Sequence, residues 1–144
     1  MGGNNNMNSN EEYDKVFEKY FPVFKTSTQR WLFMLGVTTA KIMSIEKEEY
    51  GMETFHRYLK DFKMSVTDLE GLAVRIFYKS MRLGMVDEIL PLLETTEMYH
   101  AYMQDEHSLD NISVSDLNFY FITGFVHAWD FLKQLNDKID ESRV

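Results

Sequence analysis

The sequence predicts an all-α fold, a compact bundle of five or six helices, from three observations. Apolar residues make up 44% and aromatic residues 15% of the 144 residues, which is enough for one core. Apolar side chains recur at helical spacing through most of the chain. The two prolines and seven glycines are too few for the many tight turns of a small β-sandwich or barrel. We therefore expect residues 11–140 to form a single helical domain.

The N-terminal segment, MGGNNNMNSN, is rich in glycine and asparagine and offers little to bury. Residues 1–10 are therefore expected to form a disordered leader. A first helix is predicted from Glu11 to Tyr20 on the spacing of its apolar residues. Pro22 disfavours a helical conformation at Phe21, so this helix is expected to be short.

A second helix is predicted from the dense apolar residues at positions 31–45, with Ser27 or Thr28 as its N-cap. These residues exceed a narrow amphipathic stripe, so the helix is expected to be central and mostly buried. Gly36 in its interior costs up to about 1 kcal/mol relative to alanine, which indicates close packing against another helix. Gly51 is expected to end this helix.

Two further helices are predicted in the middle of the chain. The third is marked by apolar residues at helical spacing, Phe55, Tyr58, Leu59 and Phe62. Thr67 and Glu70 have the spacing of a capping box, so a fourth helix is expected from there to Leu83. Gly84 would end it. The predicted core face of the fourth helix consists of Leu69, Leu72, Ala73, Ile76, Phe77 and Met81.

The C-terminal part is predicted to be helical as well. Residues 86–103 are expected to form a helix that Pro91 either kinks or divides, since proline suits the first position of a new helix. Ser113 or Ser115 can cap a last long helix over residues 116–137. The apolar positions of that helix are Leu117, Tyr120, Phe121, Phe125, Ala128, Trp129, Leu132 and Leu135.

Charge is unevenly distributed along the chain. The net charge of −8 argues against a protein that coats nucleic acid by bulk electrostatics, but the segments 1–24, 25–82 and 83–144 carry −2, +3 and −9. Two consecutive predicted helices of the basic segment hold the candidate phosphate contacts, Arg57, Lys60, Lys63, Arg75, Lys79 and Arg82. Solvated helix faces explain the same residues equally well.

Several kinds of chemistry are excluded or disfavoured by the sequence. The absence of cysteine excludes disulfides, zinc–thiolate sites and thiol nucleophiles, and it suits a reducing cytoplasm. No apolar segment approaches the length of a membrane span, and the N-terminus lacks the features of a secretory signal. No serine lies in a nucleophile elbow, and no phosphate-binding glycine loop is present. We therefore expect a cytoplasmic binding protein that is not an enzyme and needs no cofactor.

Two alternatives remain open. The pairs Glu53–His56 and Glu97–His100 have the Glu-x-x-His spacing that di-iron helical bundles use, which would make the chain a metal-dependent enzyme. The carboxylates that such a site needs from two other helices are missing, so this alternative is disfavoured. The second alternative is an acidic helical regulator or inhibitor that binds a basic protein partner.

Two stretches of the chain carry a family resemblance. The first is WLFMLGVTTAKIM from Trp31, followed by FHRYLKDFKM from Phe55 and a capped helix, and the second is SDLNFYFITGF from Ser115. Together they cover residues 28–135 and resemble the C-terminal, small-subunit-like helical region of the large subunit of type I-B CRISPR Cascade complexes. In some such systems this region is also produced separately as a small subunit, and a start at Met1 or Met7 would fit that origin.

The resemblance implies a non-catalytic module with several partners. It would contact the other Cascade subunits, both the large subunit and the backbone subunits, and would help hold crRNA-bound target DNA or the displaced strand through basic residues. The acidic C-terminal third departs from such a DNA-binding surface and favours protein contacts there.

Overall fold

The computed structural model confirms the all-α prediction. It describes the backbone of residues 3–60, 64–82, 84, 86–106 and 112–142, and the side chains of residues 11–44, 64–82, 84, 87, 89–103 and 112–141. Within these ranges every regular element is an α-helix. The helices are α1 (Gly3–Tyr20), α2 (Ser27–Lys60), α3 (Val66–Arg82), α4 (Val86–Glu106), α5 (Val114–Val126) and α6 (Ala128–Ser142).

Helix α2 is the centre of the fold, as its apolar density predicted. All residues from Trp31 to Ala40 are buried. Helices α4 and α5 pack along α2, while α6 packs mainly on α1. Three fully buried rings join these layers, since the centroid of Phe17 in α1 lies 5.2 Å from that of Phe33 in α2 and 5.0 Å from that of Phe131 in α6. Such pairs contribute about 0.5–1.5 kcal/mol each beyond the burial of their area.

Helices α2 and α5 touch backbone to backbone at two glycines. A Cβ atom on Gly36 would overlap the carbonyl oxygen of Phe121 and lie 2.6 Å from the amide nitrogen of Phe125. A Cβ atom on Gly124 would likewise overlap the carbonyl oxygen of Phe33. The prediction that Gly36 serves close helix packing is confirmed, and Gly124 is its counterpart on α5.

The N-cap of α2 is Thr26, and the prediction of Ser27 or Thr28 was wrong. The Gln29 amide donates to Thr26 Oγ1 (3.2 Å), and the Thr26 amide donates to Gln29 Oε1 (3.1 Å). This reciprocal pair is a capping box, which a glutamine at the third helical position completes and which neither neighbouring residue could form with Gln29.

The boundaries of α2 and α1 also differ from the sequence prediction. Helix α2 continues through Gly51, because one interior glycine costs only about 1 kcal/mol and a 34-residue helix absorbs it. The predicted third helix is therefore the C-terminal end of α2. Helix α1 extends back to Gly3, into the segment for which the sequence predicts disorder, since adding turns to a formed helix requires no new nucleus.

The C-terminal part of the chain forms three helices, and their boundaries decide between the alternatives at Pro91 and at Ser113 or Ser115. Helix α4 runs through Pro91 without dividing there. Ser113 is the N-cap of α5, and its side chain accepts from the Asp116 amide (3.1 Å). The predicted last helix is divided at His127 into α5 and α6, because α5 follows α2 whereas α6 must turn to follow α1.

Some predicted core positions are exposed. Phe77 and Met81 of α3 and Trp129 of α6 face solvent, whereas Ser80 of α3 is buried. The buried face of α3 is centred on Ile76, and residues one position further along a helix point about 100° away. The direction of the face was right, but its width was overestimated.

Candidate nucleic-acid interface

The six predicted phosphate contacts lie on two helices and the segment between them. Arg57 and Lys60 belong to the last turns of α2, but their side chains, and the whole of Lys63, lie outside the described residues. The structure places the other three on α3, which are Arg75, Lys79 and Arg82. We call these three residues the cationic stripe.

The cationic stripe lies at one edge of the solvent-facing side of α3. Arg75 and Arg82 are exposed, and Lys79 is half-buried. Spacings of four and three residues place them on one helical face, as predicted. Lys79 and Arg82 lie in the last turn of α3, where a positive charge interacts favourably with the helix dipole.

The start of α3 is held by an N-cap and by a contact with α5. Ser65 Oγ accepts from the Asp68 amide (3.2 Å), and Asp68 Oδ2 accepts from the Ser65 amide (3.1 Å). The capping box was thus predicted two residues too far along the chain, because a serine–aspartate pair forms the same reciprocal bonds. Asn118 of α5 adds two bonds to the backbone of Met64, at 2.9 and 3.0 Å. These contacts fix the position of the N-terminal end of α3 against α5.

The carboxylate of Asp68 is kept charged by this arrangement. Hydrogen bonds from the backbone and side chain of Ser65 lower the pKa of Asp68, and the positive charge of Arg75 lowers it as well. A negative charge at a helix N-terminus is favoured by the dipole. Asp68 therefore places a negative charge at the start of α3, and the cations of the cationic stripe lie further along the helix.

Four apolar residues on α3 are exposed, which are Val74, Phe77, Tyr78 and Met81. The sequence prediction assigned Phe77 and Met81 to the core and made no assignment for Val74 and Tyr78. Tyr78 is the most exposed at 65%, and its ring meets that of Phe77 edge-on with centroids 5.7 Å apart. One sequence pattern could have predicted this exposed apolar surface. Val74 and Tyr78 are four residues apart, on the side of the helix away from its core face.

A groove lies beside these side chains, between α2, α3 and α4. Its volume is about 290 Å³. The residues that line it are Leu35, Thr38, Ala73, Val74, Ile76, Phe77, Tyr78, Leu93, Thr96 and Glu97. The hydroxyls of Thr38 and Thr96 already donate to Met34 and Leu92 carbonyls, at 2.8 and 2.6 Å. The groove is therefore apolar, with one carboxylate at its rim.

A partly buried polar network joins three helices. Arg30 Nη1 donates to Asp14 Oδ1 (2.9 Å), the Tyr99 hydroxyl donates to the same oxygen (2.6 Å), and Arg30 Nε donates to the Phe24 carbonyl (2.9 Å). Burial, with the hydrogen bond to Asp14, raises the pKa of Tyr99 well above its ordinary value. The network links α1, α2 and α4 and remains neutral at the tyrosine.

The Glu-x-x-His pairs receive no complete ligand set in the part of the chain that the structure describes. Glu97 is exposed, while His100 is half-buried with its ring 5.1 Å from that of Trp31 and its Nε2 atom 3.9 Å from Glu70 Oε2. Among the described residues no three His, Cys, Asp or Glu side chains group as metal ligands. The side chains of the pair on α2 lie outside the described residues.

None of the described helices is long and apolar enough to cross a membrane.

A protein family matches the chain over most of its length. No curated protein and no solved structure matches the chain. The family of the C-terminal domain of the CRISPR-associated protein TM1802 matches residues 1–138. That match covers nearly the whole chain, from α1 into α6, and the chain therefore belongs to the CRISPR-associated TM1802 C-terminal domain family.

Proposed function

We propose that this domain is a small structural subunit or subunit-like module of a type I-B Cascade complex. It contacts the large and backbone subunits and helps to hold the target strand or the displaced DNA strand. The observation that carries the proposal is the cationic stripe on the exposed side of α3, in a chain whose family is CRISPR-associated. Lysine and arginine neutralise phosphates without reading sequence, so guide pairing would supply the specificity.

The proposed role is non-catalytic. Three polar side chains, Asp14, Arg30 and Asn118, are engaged in hydrogen bonds that join helices or fix a loop. Groups committed in this way position the bundle and leave its outer surface for binding. A domain of this kind contributes to a surveillance complex by contact, in the cytoplasm where such complexes act.

The two charge regions support a division between partners. The segment 83–144 carries a charge of −9, and the exposed carboxylates of α4 and α6 belong to it. Such a surface favours basic protein partners and repels DNA. The basic side of α3 then faces nucleic acid, while α4 and α6 face neighbouring subunits.

Assembly can be tested by affinity purification of the tagged chain from its native host. We expect it to bring down a crRNA and Cascade backbone subunits, identified by RNA sequencing and mass spectrometry. A tagged chain that is recovered without either would contradict the proposed function while leaving the family assignment untouched.

The DNA contact can be tested on the recovered complex with Arg75→Gln combined with Arg82→Gln. Each lost phosphate contact should reduce the slope of log affinity against log salt by about 0.7 for a single strand or about 0.9 for a duplex. The matched control is Lys25→Gln with Lys133→Gln, which removes the same charge from exposed positions outside α3. Equal slopes for the two double variants would remove α3 from the role.

A further inference from the structure

The solvent-facing side of α3 has two edges of different chemistry. At 3.6 residues per turn, Val74, Phe77 and Met81 fall on one edge, where Val74 and Phe77 line the groove, and the cationic stripe falls on the opposite edge. Tyr78 lies between them. Cations and apolar side chains are therefore separated across the width of one helix, with an exposed aromatic ring at the boundary.

Two aromatic rings on α3, those of Phe77 and Tyr78, are exposed to solvent. Phe77 is 43% exposed and Tyr78 is 65% exposed, while Ser80 on the same helix is buried. Neighbouring exposed aromatics beside cations are the composition of surfaces that bind single-stranded nucleic acid, where bases stack on rings and phosphates meet lysine or arginine. The arrangement on α3 has both parts.

Carboxylates near the groove determine which part of a bridging ligand can be anionic. Its rim holds Glu97, and Glu70 lies exposed on the same side of α3 near His100. Phosphates are repelled there, whereas an uncharged, flat group can cover the apolar side chains. A ligand that fits must be anionic over the cationic stripe and uncharged over the groove.

On the basis of the proposed function, we propose that α3 binds single-stranded nucleic acid with bases stacked on Tyr78 and Phe77 and phosphates along Arg75 and Arg82. Charge complementarity selects this occupant. A strand separates its phosphates from its bases, as α3 separates its cations from its rings. An acidic protein helix would instead bring carboxylates toward Glu97, and a duplex keeps its bases stacked inside and offers none to a ring.

The test uses the full chain and fluorescence anisotropy with a labelled single-stranded oligothymidylate. Tyr78→Leu keeps an apolar side chain but removes the ring, and we expect about tenfold weaker binding, at the lower end of what one stacked base contributes. The salt dependence should not change, because no cation is lost. Arg82→Gln should instead reduce the salt slope by about 0.7. Tyr78→Phe should bind as the unaltered chain does.

Two controls separate stacking from loss of structure. Tyr102→Leu alters another exposed tyrosine, on α4, and should leave the affinity unchanged. Circular dichroism and thermal melting should give the same curves for all variants, because both tyrosines are solvent-exposed. The Tyr78→Leu substitution should weaken binding to a duplex of equal length less than it weakens binding to the single strand.

The outcomes distinguish this inference from the proposed function. Equal binding by Tyr78→Leu and the unaltered chain overturns base stacking and leaves the DNA role of the cationic stripe intact. If the unaltered chain binds no single strand at low salt, both the base stacking and the DNA role of the cationic stripe are overturned. Loss of a Cascade protein subunit from the Tyr78→Leu complex, with oligothymidylate affinity unchanged, also overturns the inference and makes the α3 face a protein contact.

Discussion

Helices α5 and α3 both lie against α2, but they are attached in opposite ways. At the crossing of α2 and α5, the backbones meet directly at Gly36 and Gly124, where neither position has room for a Cβ atom. Helix α3 makes far fewer contacts with α2, and a Cβ atom on its Gly71 would have nothing within 4 Å. The comparison separates a scaffold, whose sequence is dictated by packing, from a helix whose outer side exposes apolar and charged side chains to solvent.

The scaffold side of the comparison can be broken by Gly36→Ala. The added methyl group overlaps the backbone of α5, and helices must separate to admit it. Overpacking costs about 1–3 kcal/mol and sometimes more, and the better helix propensity of alanine returns at most about 1. Because the obstacle is backbone and cannot rotate away, we expect the free energy of unfolding to fall by about 2 kcal/mol or more.

Urea denaturation followed by circular dichroism measures this change. Gly124→Ala should give a loss of similar size, since its methyl group meets the backbone at Phe33. An unchanged midpoint for both variants would show that α2 and α5 are not in backbone contact, and the contrast with α3 would disappear.

The interior around α1 offers a second test, through pH. Burial raises the pKa of Tyr13 from 10.0 to about 12. Because the folded-state pKa exceeds the unfolded one, this contribution to stability is complete below about pH 10 and is lost as the pH rises through about 12. A shift of two units corresponds to about 3 kcal/mol. We expect the ionisation of Tyr13 to lower the free energy of unfolding by up to that amount over this range.

Tyr13→Phe should make the alkaline part of the stability profile less steep, because one of the two buried tyrosines with a raised pKa is removed while Tyr99 remains. Tyr102→Phe is the control, since Tyr102 is exposed on α4. A profile for Tyr13→Phe as steep as that of the unaltered chain would assign the alkaline loss to other groups.

The sequence predicted the scaffold better than the presenting helix, and the reason is physical. Dense apolar residues in α2 leave few packing solutions, so burial and the role of Gly36 were predicted correctly. On α3 the same residue types occur on both sides, and periodicity could not tell Phe77 in a core from Phe77 on a surface. The cationic stripe was found because charged side chains are seldom buried, whereas the rings beside it needed the structure.

Capping and helix ends were predicted less well because several residues compete for each role. Thr26 and Ser65 act as N-caps where the sequence predicted nearby hydroxyl residues, since a reciprocal partner three positions on decides between them. The division at His127 follows from the path that α6 takes to reach α1, which no local pattern encodes.

The smallest expected effect is the most direct test of the comparison. Gly71→Ala makes on α3 the same change as Gly36→Ala on α2, but here the methyl group enters open space. Alanine restricts the unfolded chain and favours the helix, so we expect stability to rise by about 0.5–1 kcal/mol. The same substitution should thus carry opposite signs in two helices of one bundle. If Gly71→Ala also destabilises, measured by urea denaturation beside the other variants, the outer side of α3 is packed against something, and it is then not open to a strand of nucleic acid. If Gly71→Ala stabilises the chain and the oligothymidylate affinity is unchanged, α3 is already fully formed in the free chain. Binding then does not require α3 to become ordered.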